Sequence, residues 1–153
     1  MQSCDYVDVP LRVRYAETDQ MGRAYYANYF VWFEVARTSF CRARGFSYAE
    51  LERETNTFLP VVETVCRYHR ALGYDDDFTV RTRVSEFRSR AMTFDYQVLD
   101  STGRLVASGS TRHLFTGEDG RPKAFPQSYR RFLRSDAGGA RGGADQPRGN
   151  ERG

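Results

Sequence analysis

Residues 17–37 read ETDQMGRAYYANYFVWFEVAR, crowding an aspartate, a glycine, three tyrosines and a run of large apolar side chains into one segment. Its first part, TDQMG, is built from turn formers, and Gly22 can take a positive φ at no steric cost. Its second part changes period. Asn28 is placed to cap a helix on which Tyr29, Phe30, Trp32, Phe33, Val35, Ala36, Phe40 and Cys41 cover most of the circumference, and Gly45 is placed to end it. A helix apolar on nearly all sides is expected to be buried.

Working outward, Val9, Leu11, Val13 and Tyr15 alternate with polar residues or proline, which predicts a half-buried strand over 9–15 ahead of the turn. After the helix, Ser47 and Glu50 form a capping box opening a short second helix over YAELERET. Three further stretches, FLPVVETVCRYHRAL, DFTVRTRVSEF and AMTFDYQVLD, carry the β-branched and aromatic content of strands. A hairpin turn at DSTG leads to a fourth, RLVASGSTRHLFT, then a turn at GEDGRPK. PQSYRRFLR can form a terminal helix with Pro126 near its first turn. One strand, one long apolar helix and four more strands predict an α+β domain whose curled antiparallel sheet wraps that helix.

The 153 residues suffice for one domain, and the expected boundary falls near residue 134. The tail from Ser135 to Gly153 is rich in Gly and poor in apolar residues, so it is expected to be disordered. Its GARGGADQPRG run lacks the aromatic residues that would stack bases, and a net charge of +3 requires no polyanionic partner, so no nucleic acid is expected. Lys123 is the only lysine, and the many arginines are fork-shaped donors suited to phosphate. Three widely spaced cysteines and two histidines offer neither CxxC spacing nor a multi-histidine centre, so no metal and a reduced, cytosolic setting are expected. No apolar run approaches the roughly 20 residues needed to cross a bilayer.

A carboxylate just ahead of a helix N-terminus lies near unpaired backbone N–H groups and the positive end of the helix dipole. Asp19 could attack a carbonyl or activate water there, while the amides polarise the carbonyl oxygen. Thioesters suit such a site, because a thiolate of pKa about 8.5 departs without a dedicated general acid. An aspartate in TDQMG equally suits a turn for purely local reasons. Glu34, within the helix, reads as a structural residue that pairs with Arg37 or Arg12 or reaches a neighbouring subunit, and His69 as a satisfied strand histidine.

RYAETDQMGRAYYANYFVWFEVAR, the later YDDDFTV and VSEFRSRAMTFDYQV together resemble the hotdog-fold acyl-CoA thioesterases of the 4-hydroxybenzoyl-CoA thioesterase and YbgC/FadM type. The likeness runs from about Val9 to Leu133. It implies that Asp19 stands at the family's catalytic aspartate and that Tyr26 supplies the backbone N–H that polarises the thioester carbonyl. Tyr25 and Asn28 would shape the entry to the helix, and Arg88, Ser89 and Arg90 would contact CoA phosphates. The substrate is then an acyl-CoA, CoA being part of the substrate, with no separate cofactor. Where many relatives have MGHVYY this chain has MGRAYY, so Arg23 replaces a histidine and adds positive charge near Asp19, expected to lower its pKa. The resemblance also implies a homodimer or homotetramer with active sites at the subunit interface, in keeping with a sheet that would otherwise leave a long edge bare. Hydrolytic release of an acyl or polyketide chain from a carrier protein, and acyl-CoA binding without turnover, are the alternatives. Phe30, Phe33, Phe58, Tyr68 and Met92 are the candidates for lining an acyl pocket.

Overall fold

The computed structural model describes residues 6–133. Cys4, the boundary at residue 134 and the expected tail lie outside the described residues. The elements are β1 (Val7–Arg12), α1 (Asn28–Arg44), α2 (Tyr48–Thr55), β2 (Val61–Tyr68), β3 (Asp77–Phe87), β4 (Ala91–Asp100), β5 (Leu105–Leu114) and the short α3 (Arg130–Leu133). All five strands join one antiparallel sheet in the order β1-β3-β4-β5-β2, with α1 against its concave side, which is the hotdog arrangement.

The sheet's inner face follows the period of two. Phe78, Val80 and Thr82 of β3 are buried, as are Met92, Phe94, Tyr96 and Val98 of β4 and Ala107, Thr111 and His113 of β5. Tyr29, Trp32, Phe33, Ala36, Phe40 and Cys41 of α1 cover them. The two layers meet most closely at Gly109. A Cβ there would lie 2.7 Å from the Phe33 ring and 2.4 Å from the Val65 carbonyl oxygen, so only glycine fits. Phe33 stacks on Tyr96 with ring centroids 4.2 Å apart, and Trp32 tilts against Phe78 at 4.5 Å. A polar thread crosses this core: the Leu59 carbonyl contacts His113 Nδ1 at 2.9 Å, His113 Nε2 contacts the Thr111 hydroxyl at 2.8 Å, and that hydroxyl meets Tyr96 OH at 2.6 Å.

The structure moves some boundaries. β1 covers 7–12 rather than 9–15, because after Arg12 the chain turns inward: Val13 is buried and Tyr15 begins a 3₁₀ turn, 78% exposed and packed edge-on against Tyr74. Ala27, in helical conformation, occupies the cap position expected for Asn28, and no side chain caps α1. The helix is buried along one face only, since Val31 and Glu34 point outward. Arg12 pairs with Asp77 at 2.7 Å instead of Glu34. The Ser47–Glu50 capping box on α2, the αL Gly45 after α1 and the positive φ of Gly22 are as expected, and Gly103, ending the DSTG turn, takes a positive φ as well.

Strand β2 forms one edge of the sheet, and all of its residues but the half-buried Cys66 are exposed, among them Val61, Val62, Val65 and Tyr68. No helix is long and apolar enough to cross a membrane among the described residues.

Candidate functional site

The turn carrying Asp19 closes on itself. Asp19 N–H donates to the Arg23 carbonyl at 2.8 Å, and Gly22 N–H donates to the Asp19 carbonyl at 3.0 Å. Oδ1 of the exposed Asp19 side chain accepts from the backbone N–H of Met21 (2.9 Å) and Arg23 (3.2 Å), while Oδ2 meets no donor among the described residues. The local turn role and an open carboxylate oxygen therefore coexist in one side chain. Arg23 is exposed, and its backbone N–H is what it donates to the Asp19 carboxylate.

The loop then enters α1 through a turn in which Asn28 N–H donates to the Tyr25 carbonyl at 3.0 Å. Within the described residues the backbone N–H groups of Tyr26 and Ala27 donate to no protein acceptor, and neither a side-chain cap nor an acidic residue in the first turn satisfies this end. The loop leading from the carboxylate thus ends in two unpaired amides at the positive end of a 17-residue helix. Tyr25 and Tyr26 are exposed and lie 4.7 Å apart, ring to ring.

Two further residues complete the arrangement. Tyr68 OH, from the end of edge strand β2, donates to the Tyr26 carbonyl at 3.0 Å, and its ring meets those of Tyr26 and Tyr29 edge-on. Glu17 is 5% exposed. Its carboxylate accepts from Trp32 Nε1 at 2.7 Å and Arg14 N–H at 2.8 Å, with the Arg14 guanidinium 3.3 Å away. Burial pushes this carboxyl up, but the hydrogen bonds from Arg14 and Trp32 and the Arg14 charge outweigh it and hold the pKa below the usual range. Nothing local in AETD distinguishes Glu17 as buried; the signal that could have found it is the lone tryptophan, whose indole N–H needs an acceptor once buried. Of the pocket candidates, Phe33 and Met92 are fully buried in the core, Phe30 and Phe58 are half-buried, and Tyr68 alone is exposed beside Tyr26.

Arg88, Ser89 and Arg90 form the exposed β3–β4 hairpin rather than a strand face, with Arg88 against Glu86. Ser89 and Arg90 offer their carbonyls to Phe125 and Phe115 N–H. They lie at the far end of the sheet from Asp19, whose turn is tied through Arg23 and Ala24 to Gly73 and Leu72, just ahead of β3. The 11 residues of β3 separate the two groups, about 35 Å at roughly 3.3 Å per residue. One chain therefore places Asp19, Tyr25, Tyr26 and Asn28 along one loop and the helix start it leads into, but leaves the hairpin arginines apart.

A curled antiparallel sheet around one helix, with a carboxylate-bearing turn leading to unpaired amides at that helix's start, defines an α+β domain of the hotdog class. The family model of the thioesterase-like superfamily matches residues 13–133, and the chain belongs to that family. It is similar to YneP of Bacillus subtilis, named as a candidate acyl-CoA thioesterase, with 34% identity over 121 residues covering 76% of this chain and 87% of that protein. It is also similar to the acyl-CoA thioesterase YbgC of Haemophilus influenzae, with 32% identity covering 79% and 89% of the two chains. Among solved structures, the DHNA-CoA thioesterase of Staphylococcus aureus superposes with a TM-score of 0.78 at 32% identity, covering 83% of this chain and 88% of that one.

Proposed function

We propose that this protein hydrolyses acyl-CoA thioesters to a free carboxylic acid and CoA. The observation that carries the reading is the pairing of the open Oδ2 of Asp19 with the unpaired N–H groups of Tyr26 and Ala27 at the start of α1. The thioester carbonyl oxygen accepts from those amides, which strengthen their hold as charge develops on it. Acting as base, Asp19 takes a proton from water as the water oxygen bonds to the carbonyl carbon. The tetrahedral intermediate then expels the CoA thiolate, which is protonated to the free thiol. Acting as nucleophile, Asp19 forms an acyl anhydride with loss of the thiolate, and water then hydrolyses it. Both routes need the carboxylate at one spot.

The free edge of β2 supports assembly as a dimer with its two sheets continuous. A two-fold axis there would run the β2 strands antiparallel and set the Tyr68 end of one beside the Val61 end of the other. Val61 is aligned through His113 and Met92 with the β3–β4 hairpin. The partner's Arg88, Ser89 and Arg90 would then approach the cleft holding Asp19, where guanidinium groups suit the CoA phosphates. Further assembly to a tetramer and a reduced cytosolic setting, suited to the free Cys41 and Cys66, belong to the same reading.

Thiol release from short-chain, long-chain and aromatic acyl-CoAs tests it, with Asp19→Asn as the variant, because Asn keeps the Oδ1 acceptor of the turn while removing the charge. Turnover should collapse in a folded protein, and full activity in Asp19→Asn would sink the role. Faster release from acyl carrier protein than from any CoA thioester would favour the carrier substrate, and protection of the thioester by bound protein would favour a non-catalytic binder.

A further inference from the structure

Glu17 lies two residues before Asp19, but the two acids differ in every physical respect. Glu17 is buried, and its two ends are held by different parts of the fold. The carboxylate accepts from Trp32 Nε1 at 2.7 Å and Arg14 N–H at 2.8 Å. The backbone carbonyl accepts from Tyr25 N–H at 2.8 Å and Asn28 Nδ2 at 2.9 Å. One residue therefore fastens the exit of β1, the base of the Asp19 turn and the first turn of α1. Trp32 is itself packed in the core against Phe78 and Tyr29, so the carboxylate is anchored to the buried face of the helix.

The Asp19 turn has few other ties of this kind. Among the described residues its side chain is bonded only to its own turn, the Thr18–Ala24 link runs within the loop, and Arg23–Gly73 and Ala24–Leu72 tie the loop to the segment ahead of β3 rather than to α1. The register between Asp19 and the Tyr26 and Ala27 amides thus depends on the loop's attachment to the helix, and Glu17 supplies it. Building on the thioesterase reading, we infer that Glu17 is a positioning residue for hydrolysis: clamped between Trp32, Arg14, Tyr25 and Asn28, it holds Asp19 in register with the amides that receive the thioester carbonyl. Glu17 does not touch the substrate, and its effect is exerted through Asp19. Displacement of a reacting group by about 1 Å costs on the order of 10²-fold in rate, so a loosened clamp is expected to be felt in turnover rather than in binding.

The test is Glu17→Gln, alone and combined with Asp19→Ala, in steady-state thiol release with whichever acyl-CoA the wild type turns over fastest. Gln fills the same space but can accept from only one side of the clamp, its amide N–H₂ opposing a donor on the other. Alone, Glu17→Gln should lower kcat by about 10- to 100-fold with KM within about threefold. In the Asp19→Ala background the same change should leave the residual rate unaltered, because a residue acting through Asp19 has nothing left to position. An equal fall in both backgrounds, or a fall tracking loss of folded protein, would mark Glu17 as merely structural and overturn the inference. If Glu17→Gln does not fold, Trp32→Phe removes the indole donor while keeping a ring in the core, and the same pattern is required of it. Wild-type protein that releases CoA from no thioester overturns the functional reading and this inference with it, whereas active wild type with unchanged Glu17→Gln overturns this inference alone.

Discussion

The two ends of α1 are finished in opposite ways. At the C-terminus Gly45, at φ 108°, donates its N–H to Cys41 and Arg42 carbonyls, Phe46 N–H donates to Cys41 as well, and Arg42 and Arg44 complement the dipole. The next helix begins at once with a complete capping box. At the N-terminus Ala27 caps nothing, and the amides of Tyr26 and Ala27 are unpaired. A helix end closed by local chemistry contributes stability; one left open offers its unmet donors to an incoming oxygen.

That contrast can be broken by substitution, beginning where the effect is largest. Asp19→Asn should cut kcat by about 10²- to 10³-fold, the scale on which single groups at such sites act, with the thermal midpoint unchanged because the turn acceptor survives. A comparable loss of stability in melting curves would show that the open end is structural after all.

Next is the sealed interior. Burial, aided by the nearby Arg37 charge, lowers His113 from 6.5 to about 4 against the opposing effect of its Leu59 bond. The unfolded chain therefore takes up this proton first as pH falls, so stability is whole above pH 6.5 and declines between 6.5 and 4. The decline is on the order of 3–4 kcal/mol at most, at roughly 1.4 kcal/mol per pH unit. Urea titrations across that window should show His113→Gln with a flatter acid limb than wild type, and parallel limbs would refute it. Gly45→Ala should cost about 1–2 kcal/mol, from positive φ and a Cβ 3.2 Å from the Phe132 ring, with kcat untouched. Smallest is Arg88→Ala, expected to raise KM for acyl-CoA by about threefold, within the range of an exposed ionic contact. The KM of a phosphate-free acyl-pantetheine should not move, and an equal rise for both would remove the arginine from phosphate binding.

Much of the fold was legible because its signals are local. Period-two alternation marked β3 and β4, Ser47 and Glu50 announced α2, and Gly45 and Gly103 marked stops. The errors fall where tertiary contacts override local pattern. Tyr15 continues the alternation of β1, but the chain has already left the sheet to bury Val13. Asn28 has the chemistry of a cap but spends its side chain on the Glu17 carbonyl, inside the first turn. At the proposed site, a motif nominates Asp19 and Tyr26, whereas the Glu17–Trp32 hydrogen bond joins residues 15 apart, and the separation of Asp19 from Arg88–Arg90 depends on sheet topology. Neither follows from spacing along the chain.

The bare β2 edge has a consequence for mixtures. If each cleft draws its acid from one subunit and its arginines from the other, two defective proteins can repair one another. Chains carrying Asp19→Ala and chains carrying Arg88→Glu with Arg90→Glu, unfolded together and refolded, would form about half hybrid dimers. Each hybrid owns one cleft damaged twice and one wholly intact, so roughly a quarter of all clefts would work again. Activity in the mixture above that of either parent alone would be the signature of a shared cleft.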